Sequence, residues 1–160
     1  MRIKSIRIQG FKSFYNEVEL RFRDGICAIV GPNGCGKSNI LDAIRWVLGE
    51  QNPRKLRGKN MEDVLFNGTD QIPASGMARV SLSFTPYRGS FPYPYTEYEE
   101  LCIERFLYRT GESEYRINQM PVRLKDVLDL FLDTGSGSRA YSIIPQGYVA
   151  EIISATPEQK

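Results

Sequence analysis

Apolar and polar residues alternate twice near the start of the chain. Ile6 and Ile8 interleave with Arg7 and Gln9, and Val18, Leu20 and Phe22 interleave with Glu19, Arg21 and Arg23. A period of two belongs to a strand with one buried face, so two half-buried strands are predicted, joined by the turn Phe11-Lys12-Ser13-Phe14-Tyr15-Asn16. The pattern then changes. Ile26, Cys27, Ala28, Ile29 and Val30 run on without a polar residue, as in a parallel strand buried on both faces. Beyond it, Ile40, Leu41, Ile44, Val47 and Leu48 recur at spacings of three and four. This predicts a helix that starts near Gly36 or Lys37, carries one apolar stripe and ends at Gly49.

Downstream, Gln51 to Lys59 is polar, basic and broken by Pro53 and Gly58, which reads as a loop. Val80, Leu82 and Phe84 alternate with Ser81 and Ser83, and Leu101 to Tyr108 with Tyr115 to Ile117 predict a hairpin around Gly111. Between them lies the aromatic, proline-rich connection Phe91-Pro92-Tyr93-Pro94-Tyr95, whose rings suit a packed or partner-facing surface loop better than base stacking. Leu124, Val127, Leu128 and Phe131 mark a second helix, with Asp129 and Asp133 on its outside, and residues 135–138 a further loop. Thr156-Pro157-Glu158-Gln159 combines a capping Thr, Pro at the first helical position and Gln three residues after the cap, so a further helix is expected to begin there; a frayed polar tail is the plainer alternative.

The chemistry lies between the apolar run and the first helix. Gly31-Pro32-Asn33-Gly34-Cys35-Gly36-Lys37-Ser38 is a complete phosphate-binding loop in the context its mechanism requires, after a predicted strand and at a helix N-terminus. Its glycines let backbone N–H groups turn toward phosphates, and the helix end adds partial positive charge. Lys37 is assigned to the β- and γ-phosphates and the Ser38 hydroxyl to magnesium, so the sequence reads as a nucleoside triphosphate binder.

Composition narrows the setting. With 41% hydrophobic and 25% charged residues over 160 positions, disordered and fibrous classes are excluded. The amino terminus has no continuous apolar segment of signal or membrane-span type, and a cytoplasmic location is the default expectation. Three widely spaced cysteines and no histidine argue against a disulfide framework and common zinc sites. Cys27 and Cys102 are expected in the core. Cys35, inside the anion-binding loop, reads either as an activated thiol or as a tolerated small residue. A net charge of +2 is too small to argue for nucleic acid. Arg54, Lys55, Arg57 and Lys59, however, place four cations within six residues, a patch able to meet phosphates or simply a solvated loop.

A magnesium-dependent triphosphatase also needs an apolar strand ending in a metal-supporting Asp, often followed by a water-activating Glu. The nearest candidate, Val127 to Asp133, has helical spacing, and Thr134 stands where the Glu would be wanted. The other half of the site is therefore expected from a distant segment of the same natural protein or from another chain.

Four stretches together resemble the structural maintenance of chromosomes (SMC) ATPases: Ile6 to Phe14, the loop 31–39, Asp42 to Gln51, and Tyr141 to Gly147. The resemblance implies an α/β P-loop fold of the ABC-ATPase head type, with a parallel core sheet and an antiparallel layer. It implies that residues 1–160 are the amino-terminal half of such a head, with a coiled coil beginning near 156–160. ATP and Mg2+ are the implied cofactors, bound by Pro32, Asn33, Gly34, Cys35, Gly36, Lys37, Ser38 and Asn39. Lys12, Ser13 and Phe14 match the segment near base and ribose, although a simple strand connection fits them as well. Gln146 matches the glutamine that contacts magnesium and the attacking water; Pro145 stands before it where the family often has Gly. Arg57 matches an arginine that reaches the nucleotide and stimulates hydrolysis.

The resemblance further implies that the isolated chain is inactive. The carboxy-terminal half of the head supplies the acidic residues and the Ser-Gly-Gly signature, for which Ser136-Gly137-Ser138 is a poor match. A second head, most simply in a homodimer, closes over ATP, with DNA and a kleisin-type accessory subunit as further partners in a nucleoid-associated role in chromosome condensation and segregation. The alternatives are the head of a related DNA-repair ATPase, a transporter nucleotide-binding subunit, and a nucleotide-binding module without catalysis.

Overall fold

The computed structural model describes residues 1–86 and 89–132. Six strands, β1 (Arg2–Gln9), β2 (Val18–Arg21), β3 (Met77–Thr85), β4 (Leu101–Tyr108), β5 (Ser113–Ile117) and β6 (Met120–Val122), form one sheet in the order β2-β1-β3-β4-β5-β6. Every neighbouring pair is antiparallel. The register sets Ile6 opposite Leu20 and Leu82, and Leu82 opposite Ile103, so the alternation read from the sequence becomes one continuous apolar face. Ile6, Ile8, Val80, Leu82, Phe84, Leu101 and Ile103 are fully buried on it. On the opposite face, Arg7 pairs with Glu19, Arg79 with Glu104, and Lys4 with Glu100.

The helices α1 (Lys37–Val47) and α2 (Leu124–Leu132) match the spans expected for them. α1 lies over β3 and β4. Its buried face centres on Ile40, Ala43, Trp46 and Val47, one step round from the expected stripe, because Trp46 fills the middle of the core, 5.3 Å from the Phe11 ring. Gly49 turns the chain out of the helix at φ 107°, and a side chain there would press on Leu124 and Leu128 of α2 at 3.0 Å. Leu128 lies beside Gly49 and is exposed.

Arg105 carries the cation that this core encloses. It points from β4 to the C-terminal end of α1, where Nη1 donates to the carbonyls of Trp46 at 2.8 Å and Glu50 at 2.9 Å, and Nη2 to Gln51 Oε1 at 3.2 Å. Its guanidinium lies over the rings of Trp46 and Tyr115, at 4.7 and 4.9 Å. A cation at a helix C-terminus meets both the orphan carbonyls and the negative end of the helix dipole. Burial lowers the Arg105 pKa and pushes the Tyr115 hydroxyl up to about 12. Arg105→Ala is expected to destabilise the fold by about 3 kcal/mol, since it removes charged hydrogen bonds and leaves a void between two rings. Trp46 is the sole tryptophan, so its fluorescence during urea unfolding reads this directly. An unchanged midpoint would contradict the assignment.

Two expectations are corrected. The run Ile26 to Val30 is not a strand; it is exposed throughout, with Val30 at 87%. A strand buried on both faces needs hydrogen-bonded neighbours and two covering layers. Among the described residues it pairs with no strand and lies under no covering layer, so no parallel pair forms there. Cys27, expected in the core, is exposed for the same reason, whereas Cys102 on β4 is half-buried and its thiol pKa is raised by that burial. Within the basic loop, Pro53–Leu56 forms a short 3-10 turn, capped by Asn52 Oδ1 accepting from the Arg54 N–H at 3.0 Å. Gln146, the loop 135–138 and the helix start at Thr156 lie outside the described residues.

Candidate phosphate-binding site

α1 starts without a side-chain cap. Gly36 occupies the cap position at φ 94°, no acidic residue lies in the first turn, and the helix N-terminus opens onto the loop 31–36. An N-terminus left with free N–H groups and no neighbouring carboxylate suits an anion. A Cβ on residue 36 would lie 2.9 Å from Ser13 Oγ and 3.7 Å from the Phe14 ring, so glycine is required here by space as well as by conformation. Asn39 Nδ2 donates to Ser13 Oγ at 2.8 Å, tying the segment 12–14 to the first turn of α1. Lys37 bends back over the loop, and its ammonium donates to the carbonyls of Gly31 at 2.7 Å and Pro32 at 2.5 Å, with Cys35 Sγ at 3.8 Å. Ser38 stands exposed in the first turn.

The structure thus gathers Lys12, Ser13, Phe14, Asn39 and Arg57 around the start of α1. It also shows a residue that the sequence reading passed over. Asp42 is only 1% exposed, and its Oδ2 accepts from Arg57 Nε at 3.0 Å, from Arg57 Nη2 at 2.6 Å and from Lys12 Nζ. Arg57 Nη2 also donates to Asn39 Oδ1 at 2.8 Å, and Lys12 Nζ to the Leu56 carbonyl. No local signal marked it: the stripe through Ile40, Leu41, Ile44, Val47 and Leu48 leaves Asp42 outside, and the structure buries it beside Ala43 and Trp46, where a carboxylate is tolerated only with cationic or hydrogen-bonding partners. Lys12 consequently lies in the wall of the site, with its ammonium turned to Asp42.

Arg57 belongs to the basic loop, yet two of that loop's four cations are matched by carboxylates, Arg57 by Asp42 and Lys55 by Glu50. Arg54 and Lys59 are exposed. The backbone that follows is held by Asp63, whose carboxylate accepts from the N–H groups of Lys59 at 2.6 Å and Asn60 at 3.0 Å; these bonds lower its pKa.

The donor set fits a polyphosphate and one edge of a magnesium ion. Magnesium takes six oxygens, usually one or two from carboxylates and the rest from phosphates and water. Here Ser38 offers a hydroxyl, and no cluster of three or more acidic, cysteine or histidine side chains able to hold a metal occurs among the described residues. Asp129 is exposed on α2, as expected. No helix of the described residues is long and apolar enough to cross a membrane.

Residues 2–139 match the family model of the RecF/RecN/SMC N terminal domain. The chromosome partition protein Smc of Desulfitobacterium hafniense is 52% identical over 158 residues, which is 99% of this chain and 13% of that protein. A solved chain from work on ATP-driven dimerization and DNA-stimulated activation of SMC ATPases superposes with a TM-score of 0.89 at 31% identity, covering 99% of this chain and 94% of that one. An Smc head bound to the C-winged helix domain of ScpA gives a TM-score of 0.87 at 32% identity, covering 98% of this chain and 48% of that one. With a phosphate-binding loop at the uncapped end of α1, an antiparallel sheet beneath it and these relatives over its full length, the chain belongs to the SMC family, as the amino-terminal region of the P-loop, ABC-type ATPase head.

Proposed function

We propose that this chain is the ATP-binding half of an SMC head, which hydrolyses ATP when joined by its carboxy-terminal half and engaged by a second head. The observation that carries this reading is the open N-terminus of α1, with Lys37, Ser38, Asn39, Ser13 and Arg57 gathered on it. In this reading the backbone N–H groups of residues 33–38 and the Lys37 ammonium hold the β- and γ-phosphates, with Pro32 and Asn39 lining the loop's two ends, and Ser38 and Gln146 take part in binding Mg2+. The ion, when bound, neutralises charge that develops on the transferred phosphoryl group. Arg57 adds a second cation on that side.

The exposed run Ile26 to Val30 supports the two-part head, because a strand of this composition is stable only between neighbours, and the carboxy-terminal half is the natural source of them. ATP-driven dimerization and DNA stimulation, stated for one structural relative, and ScpA binding, stated for another, extend here to homodimeric head engagement, DNA and a kleisin-type subunit. The setting is nucleoid-associated chromosome condensation and segregation in the cytoplasm. The expected coiled coil near 156–160 leads to the rest of the protein.

The test uses the full-length protein. Phosphate release is measured over a dilution series, with and without DNA, for wild type and Arg57→Ala. Turnover should rise more steeply than linearly with protein concentration until heads saturate, as engagement requires. Arg57→Ala should lower basal turnover about 10- to 100-fold with little change in ATP affinity, the equivalent of losing one charged hydrogen bond in the transition state. If Arg57 serves DNA instead, only the DNA-stimulated part is lost. Turnover strictly linear in concentration down to the lowest dilution would count against head engagement.

A further inference from the structure

We propose that Asp42 is a positioning residue for ATP hydrolysis, holding the Arg57 guanidinium beside the phosphate loop, with Lys12 as the counter-charge that keeps the cluster cationic. This inference rests on the role given to Arg57 above. One carboxylate oxygen, Oδ2, is the acceptor for Lys12 Nζ and for both Nε and Nη2 of Arg57. The three side chains come from separate segments: the turn after β1, the middle of α1 and the end of the 3-10 turn Pro53–Leu56. Only Asp42 is shared among them.

Two further observations point to positioning rather than to simple ion pairing. Lys12 and Arg57 both adopt left-handed backbone, at φ 49° and 59°. Non-glycine residues hold such conformations only where their surroundings over-determine them, and here both converge on the same buried oxygen. In addition, Arg57 is half-exposed while its partner Asp42 is almost wholly buried. The carboxylate anchors one edge of the guanidinium through Nε and Nη2. Nη1 takes part in neither bond, so one edge is fixed and the other remains for a ligand.

The charges decide the sign. Asp42 alone would neutralise Arg57 and cancel its value to a developing phosphoryl charge. Lys12, nearly buried on the same oxygen, brings the trio to one net positive charge, and Asn39 links it to the first turn of α1 through Arg57 Nη2 at 2.8 Å. A cation held in one orientation before the reaction stabilises transition-state charge without reorganising during it. Asp42 touches neither nucleotide nor water in this scheme; it acts through Arg57.

A double-mutant cycle in the full-length protein tests this, with kcat and KM for magnesium-ATP measured for wild type, Asp42→Asn, Arg57→Ala and the double variant. Asp42→Asn keeps the size of the side chain and removes its charge. It should lower kcat at least about fivefold with KM for ATP little changed, and add less than about twofold in the Arg57→Ala background. Equal losses in both backgrounds would mean a structural role and overturn the inference. So would unchanged kcat in Asp42→Asn while Arg57→Ala slows turnover; that result leaves the proposed function standing. If Arg57→Ala itself has no effect, the role of Arg57 and this inference fall together. Should Asp42→Asn not fold, the same cycle is run on a Lys12→Met background, which removes the cation left bare beside the amide, and additivity there would likewise overturn the inference.

Discussion

Lys37→Ala in the assembled head is expected to weaken magnesium-ATP binding about 100-fold or more and to remove hydrolysis with it. The ammonium is the only side-chain cation within the loop 31–38, and the contact proposed for it with the β- and γ-phosphates would place it in charge-assisted hydrogen bonds worth ~1.5–3 kcal/mol each. Its bonds to the Gly31 and Pro32 carbonyls show that the side chain folds back over the loop, with its ammonium held against the loop's first residues. Those two carbonyls lie on an exposed segment where water replaces the lost donor, so the variant should fold normally. Calorimetric titration of wild type and variant, with far-ultraviolet circular dichroism as the control for folding, gives the comparison. A folded variant with wild-type affinity would remove Lys37 from the site.

The strands and helices were legible because most of them turn one apolar face to the core, and such a face leaves a period in the sequence. Ile6/Ile8, Val80/Leu82/Phe84 and the hairpin around Gly111 lie where that period put them, and α1 begins at Lys37 as its loop requires. Three features escaped the same reading for physical reasons. A pattern reading assigns polar residues to the outside, so Asp42 and Arg105, each 1% exposed, were invisible to it. Their partners come from far along the chain, Lys12 and Arg57 for Asp42, Trp46 and Glu50 for Arg105, and no local spacing encodes them. The third is the run Ile26 to Val30. Its apolar composition suits burial, but composition does not say which strands bury a segment, and β1 to β6 do not bury this one. Lys12 shows the reverse case. Its family match places it near the nucleotide, yet the groups its ammonium contacts are the Leu56 carbonyl and the carboxylate that also holds Arg57.

Phosphate release by the 160-residue chain alone is expected to be indistinguishable from a no-enzyme control, and to appear only when the carboxy-terminal half is added. The loop supplies a cation in Lys37 and a hydroxyl in Ser38, whereas in-line attack on the γ-phosphate also needs a carboxylate to support the metal and a group to orient water. The same addition should cover the run Ile26 to Val30, so assembly and activity share one surface. Val30 is 87% exposed and belongs to no strand or helix of the described fold. Val30→Asp should therefore leave the chain folded but bury an unpaired charge on assembly, which costs several kcal/mol and is enough to lower association by more than about 100-fold. Co-purification of the two halves measures the first effect, and magnesium-dependent phosphate release from the mixture measures the second. Robust turnover by the isolated chain, abolished by Lys37→Ala to exclude a contaminant, would show that the half-site reading is wrong. Wild-type assembly by Val30→Asp would show that the carboxy-terminal half docks elsewhere, and that the exposed apolar run answers to a different neighbour.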